Sequence, residues 1–181
     1  MRTLVLGGIR SGKSRWAEEA IATSLAPDQP VRYLAPGRAG SGDAVWAHRI
    51  AEHRERRPGH WSTVETEEIA TQLRESPTPT LVDDLGVWLT GMLDRHHGWD
   101  GGSVPGAVRD EIEGMLAAVG AFASTLVLVS PEVGLTVVPA TAAGRRFADE
   151  LGTLNQKLAA VCDRVMLVVA GQAVPIKPSG I

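Results

Sequence analysis

The run Gly7-Gly8-Ile9-Arg10-Ser11-Gly12-Lys13-Ser14 follows the apolar stretch Leu4-Val5-Leu6 and fills every fixed position of the pattern G-x-x-x-x-G-K-[ST]. It constrains the fold more than any other part of the chain, because such a loop works only between a strand and a helix. Gly7 and Gly12 let the backbone curl so that successive N–H groups form a cradle for phosphate oxygens. Lys13 reaches the β- and γ-phosphates, and Ser14 offers a hydroxyl to Mg²⁺. The stretch from Arg15 to Leu25 reads as a helix whose positive end faces the same anion. A glycine-rich turn that merely contains a lysine would leave the flanking strand and helix patterns unexplained. The motif announces a nucleoside triphosphate without saying which one, or which phosphate is attacked.

The rest of the chain continues that alternation. Apolar runs at Thr3 to Leu6, Val31 to Ala35, Thr80 to Val82, Thr125 to Val129, Val165 to Ala170 and Ala173 to Ile176 are separated by helical stretches. This predicts an α/β fold of the P-loop NTPase type, a mostly parallel sheet flanked by helices. The last run, set off by Gly171-Gln172, is expected to form a hairpin at one edge. Helices are expected over Lys13 to Leu25, Ala44 to Arg56, Glu67 to Arg74, Leu85 to Asp94, Gly106 to Ala123 and Ala142 to Val161. Asp43 can cap the second, and Pro58-Gly59 stops it. The segments Pro36 to Gly42 and His97 to Pro105 read as mobile loops, the latter with little capacity to bury itself.

With 181 residues and 44% hydrophobic content, the chain suits one catalytic domain over residues 1–181. A net charge of −3 and a pI near 5.9 give no global positive field, so a nucleic-acid partner is not expected. Cys162 is alone, which excludes an internal disulfide or a cysteine-based metal site; its apolar neighbours suggest a buried helical thiol. No apolar run approaches the roughly 18 residues of a membrane span, and no signal-peptide core precedes the first strand. A cytoplasmic protein without membrane insertion is expected.

Three further groups carry possible chemistry. Thr80-Leu81-Val82-Asp83-Asp84 is an apolar strand ending in carboxylates, the form of a Walker B element. Asp83 is the expected Mg²⁺ partner, partly through water, opposite Ser14, with Asp84 left to cap the following helix. Glu132, at another strand end, is either a second acid that positions a hydroxyl nucleophile or a solvated loop carboxylate. The segment from His48 to Arg57 carries four arginines and two histidines in an otherwise acidic protein. Unaided, that run reads as a solvated helix face with Glu52 and Glu55 pairing to arginines. His48 and His53 are off the i, i+4 spacing of a helical metal pair, so no zinc is expected.

Taken together these residues resemble the bifunctional adenosylcobinamide kinase/adenosylcobinamide-phosphate guanylyltransferase family of cobalamin biosynthesis, almost end to end. The resemblance runs from the glycine loop with Arg15, Ala17 and Glu18 to Tyr33-Leu34-Ala35. It continues through Arg49-Ile50 with His53, then Arg57-Pro58 with Trp61, Thr63 and Glu65. Beyond these lie Leu81-Val82-Asp83, Trp88-Leu89-Thr90, Glu132-Val133-Gly134, Val138-Pro139, Arg145, Phe147, Gly152, Asn155-Gln156, Val168 to Gly171 and Lys177. Arg-Ile-x-x-His followed by Arg-Pro-x-x-Trp-x-Thr-x-Glu is far more specific than the glycine loop.

The resemblance implies two reactions: phosphorylation of the cobinamide aminopropanol hydroxyl, then transfer of GMP from GTP onto that phosphate to give adenosylcobinamide-GDP. It places His53 at the guanylylated histidine, with Lys13 the other catalytic residue. A neutral imidazole, plentiful at pH 7 from an unperturbed pKa of about 6.5, suits attack on phosphorus. It also places Leu34, Ala35, Pro36, Glu65 and Asp83 at the nucleotide, beside Gly7, Gly8, Ile9, Arg10, Ser11, Gly12, Lys13 and Ser14. Arg54, Glu55, Arg56 and Arg57 belong to the same nucleotide-binding set, the arginines offsetting triphosphate and pyrophosphate charge.

Mg²⁺ and GTP are implied, with ATP an alternative phosphoryl donor, adenosylcobinamide and its phosphate as the other substrates, and a homo-oligomer as the assembly. Guanine preference rests on the resemblance alone; the absence of Asn-Lys-x-Asp argues against a GTPase switch. Pro36, Val45, Gly91 and Pro131 stand where the family commonly has Thr, an acid, Asn, and Asn or Ser. Two other readings remain at this level: a small-molecule kinase in which His53 is an ordinary helix residue, and a nucleotide-binding regulatory module without turnover.

Overall fold

A computed structural model of the protein describes residues 1–37, 57–100 and 102–177. In chain order the elements are β1 (Arg2–Gly7), α1 (Lys13–Thr23), β2 (Val31–Ala35), β3 (Trp61–Glu65), α2 (Ile69–Glu75) and β4 (Thr80–Asp83). They are followed by α3 (Leu85–Arg95), α4 (Gly106–Ala121), β5 (Leu126–Pro131), α5 (Ala142–Val161), β6 (Arg164–Val169) and β7 (Gln172–Lys177). All seven strands form one sheet in the order β3-β2-β4-β5-β1-β6-β7. Every neighbour pair is parallel except the β6–β7 hairpin, which closes one edge antiparallel, as the Gly171-Gln172 break predicts.

The sequence reading misses β3, and the helix expected over Ala44 to Arg56, with its Asp43 cap, lies outside the described residues. Among the described residues β3 pairs only with β2, and none of its residues is buried. An edge strand half open to solvent needs no apolar alternation, so Trp61-Ser62-Thr63-Val64-Glu65 carries little signal of its own.

The sheet separates two apolar layers. On one face, Leu4, Leu34, Val82, Leu126 and Leu128 pack against α2, α3, α4 and α5 through residues such as Trp88, Met92, Met115 and Leu154. On the other, Val5, Tyr33, Leu81, Val127 and Val129 pack against Ala17 and Ile21 of α1. Strand side chains alternate faces, so the register decides what meets what: Tyr33 lies level with Thr63 on one side and Leu81 on the other. Asp83, two residues beyond Leu81, therefore shares the α1 face.

Helix ends follow local chemistry. α1 stops at Thr23, short of the expected Leu25. The Thr23 and Ser24 hydroxyls donate to the carbonyls of Glu19, Ala20 and Ile21, and Pro27 follows soon after. Asp84 caps α3 by accepting from the Val87 N–H at 2.9 Å, as expected. Cys162 is buried, but as the residue capping α5 rather than inside it; burial pushes its thiol up to about 12, so it stays protonated and inert. The His97 to Pro105 connection is better anchored than its composition predicts: Trp99 and Val104 pack on the core, and Trp99 Nε1 donates to Asp94 at 2.5 Å.

Candidate active site

The phosphate loop leaves the C-terminal end of β1 and is shaped by backbone. Arg10 at φ 56° and Gly12 at φ 92° place left-handed residues at alternate positions, the geometry of an anion-binding nest. Ser11 N–H donates to Gly8 O at 3.3 Å, and Lys13 N–H to Ser11 Oγ at 3.4 Å, fixing the curl. Gly8, Ile9 and Arg10 form the exposed lip, whereas Ser11 is buried and Lys13 and Ser14 are half-buried at the start of α1. Among the described residues the Lys13 ammonium makes no hydrogen bond or ion pair, so it is available to an anion.

The glycines do different jobs. A Cβ on Gly7 would lie 2.4 Å from Ser11 Oγ and 2.7 Å from the backbone oxygen of Val168, so no larger residue fits. At Gly8 nothing lies within 4 Å, leaving open space at the mouth of the loop. The β6–β7 turn supports the loop from behind, with Gly171 N–H donating to Ser11 O at 2.8 Å. From the other flank, Glu132 N–H donates to Gly7 O at 3.1 Å. Each oxygen of the Glu132 carboxylate accepts from a local amide, Gly134 N–H and Leu135 N–H, which gives it a loop-shaping role.

Asp83 reaches the α1 face one strand removed from β1, since β5 lies between β4 and β1. It and Ser14 bring two hard oxygen donors to the face that α1 covers. The Asp83 carboxylate accepts a 2.8 Å hydrogen bond from the Tyr33 hydroxyl through Oδ2. Tyr33 is almost wholly buried, and the Arg57 guanidinium carbon stands 3.3 Å from its ring centroid. Arg57 Nη1 in turn donates to Thr63 Oγ1 at 2.8 Å. Burial, then the Asp83 charge, raise the Tyr33 phenol well above its ordinary range against the opposing pull of Arg57, so it remains a donor. Burial and the Asp83 charge also raise Asp84, against its Val87 hydrogen bond and the nearby Lys13 charge.

The other expected site residues sort by position. Leu34 is fully buried in the core opposite α1, so its side chain belongs to packing. Ala35 and the buried Pro36 stand at the loop end of β2, where Ala35 O already accepts from the N–H groups of Gly37 and Thr66. Glu65 is exposed at the end of edge strand β3. Three strands stand between it and β1, which puts the two strand ends about 19 Å apart. His53, Arg54, Glu55 and Arg56 lie outside the described residues, in the connection from β2 to β3. Arg57 is described and meets Tyr33 and Thr63, as above.

Among solved structures, an ATPase from the type III secretion system of pathogenic bacteria has a similar fold. That match has a TM-score of 0.54 at 12% identity and covers 96% of this chain and 56% of that one; it speaks for the fold alone. A sequence model described as "Cobinamide kinase / cobinamide phosphate guanyltransferase" matches residues 3–176. The chain belongs to the cobinamide kinase/cobinamide phosphate guanyltransferase family. A bifunctional adenosylcobalamin biosynthesis protein CobP of Pseudomonas aeruginosa is 43% identical over 98% of both chains. The CobU proteins of Salmonella typhimurium and Escherichia coli, also described as bifunctional adenosylcobalamin biosynthesis proteins, are 40% and 36% identical over 98% of this chain and 100% of theirs.

Several residues of the family pattern have structural work here. Asn155 accepts from the buried Ser130 hydroxyl at 2.6 Å and donates to Pro131 O at 3.0 Å, joining α5 to the end of β5. Trp88 Nε1 donates to Glu67 O, and Lys177 donates to the final carbonyls of α5. Pro131 is matched by Gly86, where a Cβ would meet the proline ring at 2.8 Å.

Proposed function

We propose that residues 1–181 act as one catalytic domain that phosphorylates adenosylcobinamide and then transfers GMP from GTP to the product, giving adenosylcobinamide-GDP. The observation that carries this reading is Lys13, whose ammonium has no hydrogen bond or ion pair among the described residues, at the mouth of a phosphate nest, on the face of the sheet that also receives Asp83. For the kinase step the nest and Lys13 hold the β- and γ-phosphates, so that the cobinamide hydroxyl attacks the γ-phosphorus with the β-phosphate oxygen leaving. Ser14 and Asp83, a hydroxyl and a carboxylate, suit Mg²⁺, which favours oxygen ligands and leaves its remaining positions to phosphate and water. When bound, that ion neutralises charge between the β- and γ-phosphates.

For the guanylyl step, His53 attacks the α-phosphorus, the bond to the β-phosphate oxygen breaks and pyrophosphate leaves. Cobinamide phosphate then displaces the histidine from the GMP phosphorus. ATP serves as an alternative phosphoryl donor, and the protein works in the cytoplasm as a homo-oligomer.

Labelling separates the two activities. With GTP labelled at the α-phosphate, wild type should retain acid-labile, base-stable label that His53→Ala loses; a wild type without retained label would reject the covalent step. Lys13→Ala should abolish phosphorylation of cobinamide, and undiminished turnover would remove the lysine from the mechanism. Phosphorylation without any guanylyl transfer would leave a monofunctional kinase.

A further inference from the structure

The row Thr63, Arg57, Tyr33, Asp83 crosses three adjacent strands, and no part of it is needed to build the phosphate nest. Thr63 on β3 holds the guanidinium of Arg57, the guanidinium covers the ring of Tyr33 on β2, and the phenol hydroxyl holds one oxygen of Asp83 at the end of β4. Among the described residues, Arg57 Nε is buried and has no hydrogen-bond partner. Leaving a donor of a charged group unsatisfied is costly, so the guanidinium holds this place despite an unfavourable contact. A phenylalanine would fill the same apolar space at position 33 without needing a partner for a buried hydroxyl. The hydroxyl's one hydrogen-bond partner among the described residues is the carboxylate that faces the start of α1. A carboxylate with one oxygen fixed presents the other in a defined direction, and a metal ligand gains from such orientation by a neighbouring group.

We propose that Tyr33 is a positioning residue for the phosphate-site metal. Its hydroxyl fixes Oδ2 of Asp83 so that Oδ1 is presented to the cation, and Arg57, held by Thr63, clamps the ring. This rests on the reading of Asp83 as the Mg²⁺-side carboxylate. It also gives Arg57 a role on the ring in addition to any contact with phosphate.

Tyr33 is the one tyrosine of the chain, so it can be observed without assignment. Tyrosine labelled with ¹³C at Cζ alone should give one NMR signal, and adding Mg²⁺ to the protein already saturated with a GTP analogue that cannot be cleaved between the α- and β-phosphates should shift it. In Asp83→Asn that response should vanish. Tyr33→Phe should raise the Mg²⁺ concentration for half-maximal phosphorylation about tenfold, with kcat recovered at saturating Mg²⁺ and GTP binding in EDTA unchanged. It should melt within about 5 °C of wild type. Thr63→Val, which loosens the clamp and spares the hydroxyl, should move the Mg²⁺ requirement about twofold to threefold in the same direction.

If Asp83→Asn shifts the Mg²⁺ requirement and neither Tyr33→Phe nor Thr63→Val does, the positioning role is overturned while the metal reading stands. A tyrosine signal indifferent to Mg²⁺ would also overturn it. If Asp83→Asn leaves the requirement unchanged, the metal reading falls and takes this proposal with it.

Discussion

The phosphate loop and the Thr63–Arg57–Tyr33–Asp83 row serve the same face of the sheet but are made of different material. The loop is backbone: its shape comes from left-handed residues, N–H···O contacts and a glycine, Gly7, with no room for a methyl group. The row is side chain: a hydroxyl, a guanidinium, a phenol and a carboxylate from separate segments, each replaceable without moving the chain. Backbone sites fail all at once, because one wrong residue displaces every N–H group in the curl. Side-chain sites are graded, because removing one group weakens its neighbour and leaves the scaffold in place.

The largest effect should come from the loop. Gly7→Ala would drive a methyl group onto Ser11 Oγ and a backbone oxygen of β6. A stability loss of about 3 kcal/mol is expected in urea denaturation, together with loss of GTP binding. A loss below about 1 kcal/mol would show that the loop yields and would blunt the contrast. Next comes the support behind the loop's flank. Asn155→Ala strands the buried Ser130 hydroxyl and the Pro131 carbonyl, and should cost about 2 kcal/mol by the same measurement. GTP affinity should fall less than in Gly7→Ala, because the nest itself is intact.

The row should respond more softly. Tyr33→Phe should cost about 1 kcal/mol, since one hydrogen bond to a half-buried carboxylate is lost and the ring's packing is retained. A loss equal to that of Gly7→Ala would mean that the row is as rigid as the loop. The smallest effect belongs to the part-buried Arg2–Asp163 pair, which joins the start of β1 to the residue before β6. The Arg2 guanidinium and backbone N–H hold the Asp163 carboxyl down to about 2. A depressed carboxylate contributes stability above its unfolded value, near 3.9, and loses it as pH falls through the folded one. Asp163→Asn should therefore be slightly less stable than wild type at neutral pH, with the gap closing between about pH 4 and pH 2 in acid denaturation followed by circular dichroism.

The same division decides what could be read from sequence. A backbone site must be written contiguously, so Gly7 to Ser14 declares itself, and the strands that carry it follow from their apolar runs. Asp84 was legible as a cap because a strand-terminal carboxylate pair offers two roles, and the structure gives Asp84 the capping one. The meeting of Thr63, Arg57 and Tyr33 was not, although each belongs to the family pattern, because it depends on the register of β3, β2 and β4, and β3 leaves almost no periodic trace. The available signal was a lone tyrosine in an apolar strand: a phenol expected inside the core has to find an acceptor. Glu132 shows the opposite case, in which a suggestive acid is spent on two local amides.

The support of the loop by the β6–β7 turn also bears on the order in which the molecule becomes competent. Ser11 O meets the N–H of Gly171, 160 residues later, and β1 lies between β5 and β6, both made late in synthesis. A nascent chain carries its phosphate-binding sequence from the first turn of translation, yet lacks the two strands that must flank it and the turn that shapes it. Contacts this distant in sequence form slowly, since long loops must close first. Nucleotide capture thus becomes a late event in the life of each chain, and a ribosome-bound fragment ending before β6 should pass through a GTP-rich cell without retaining any.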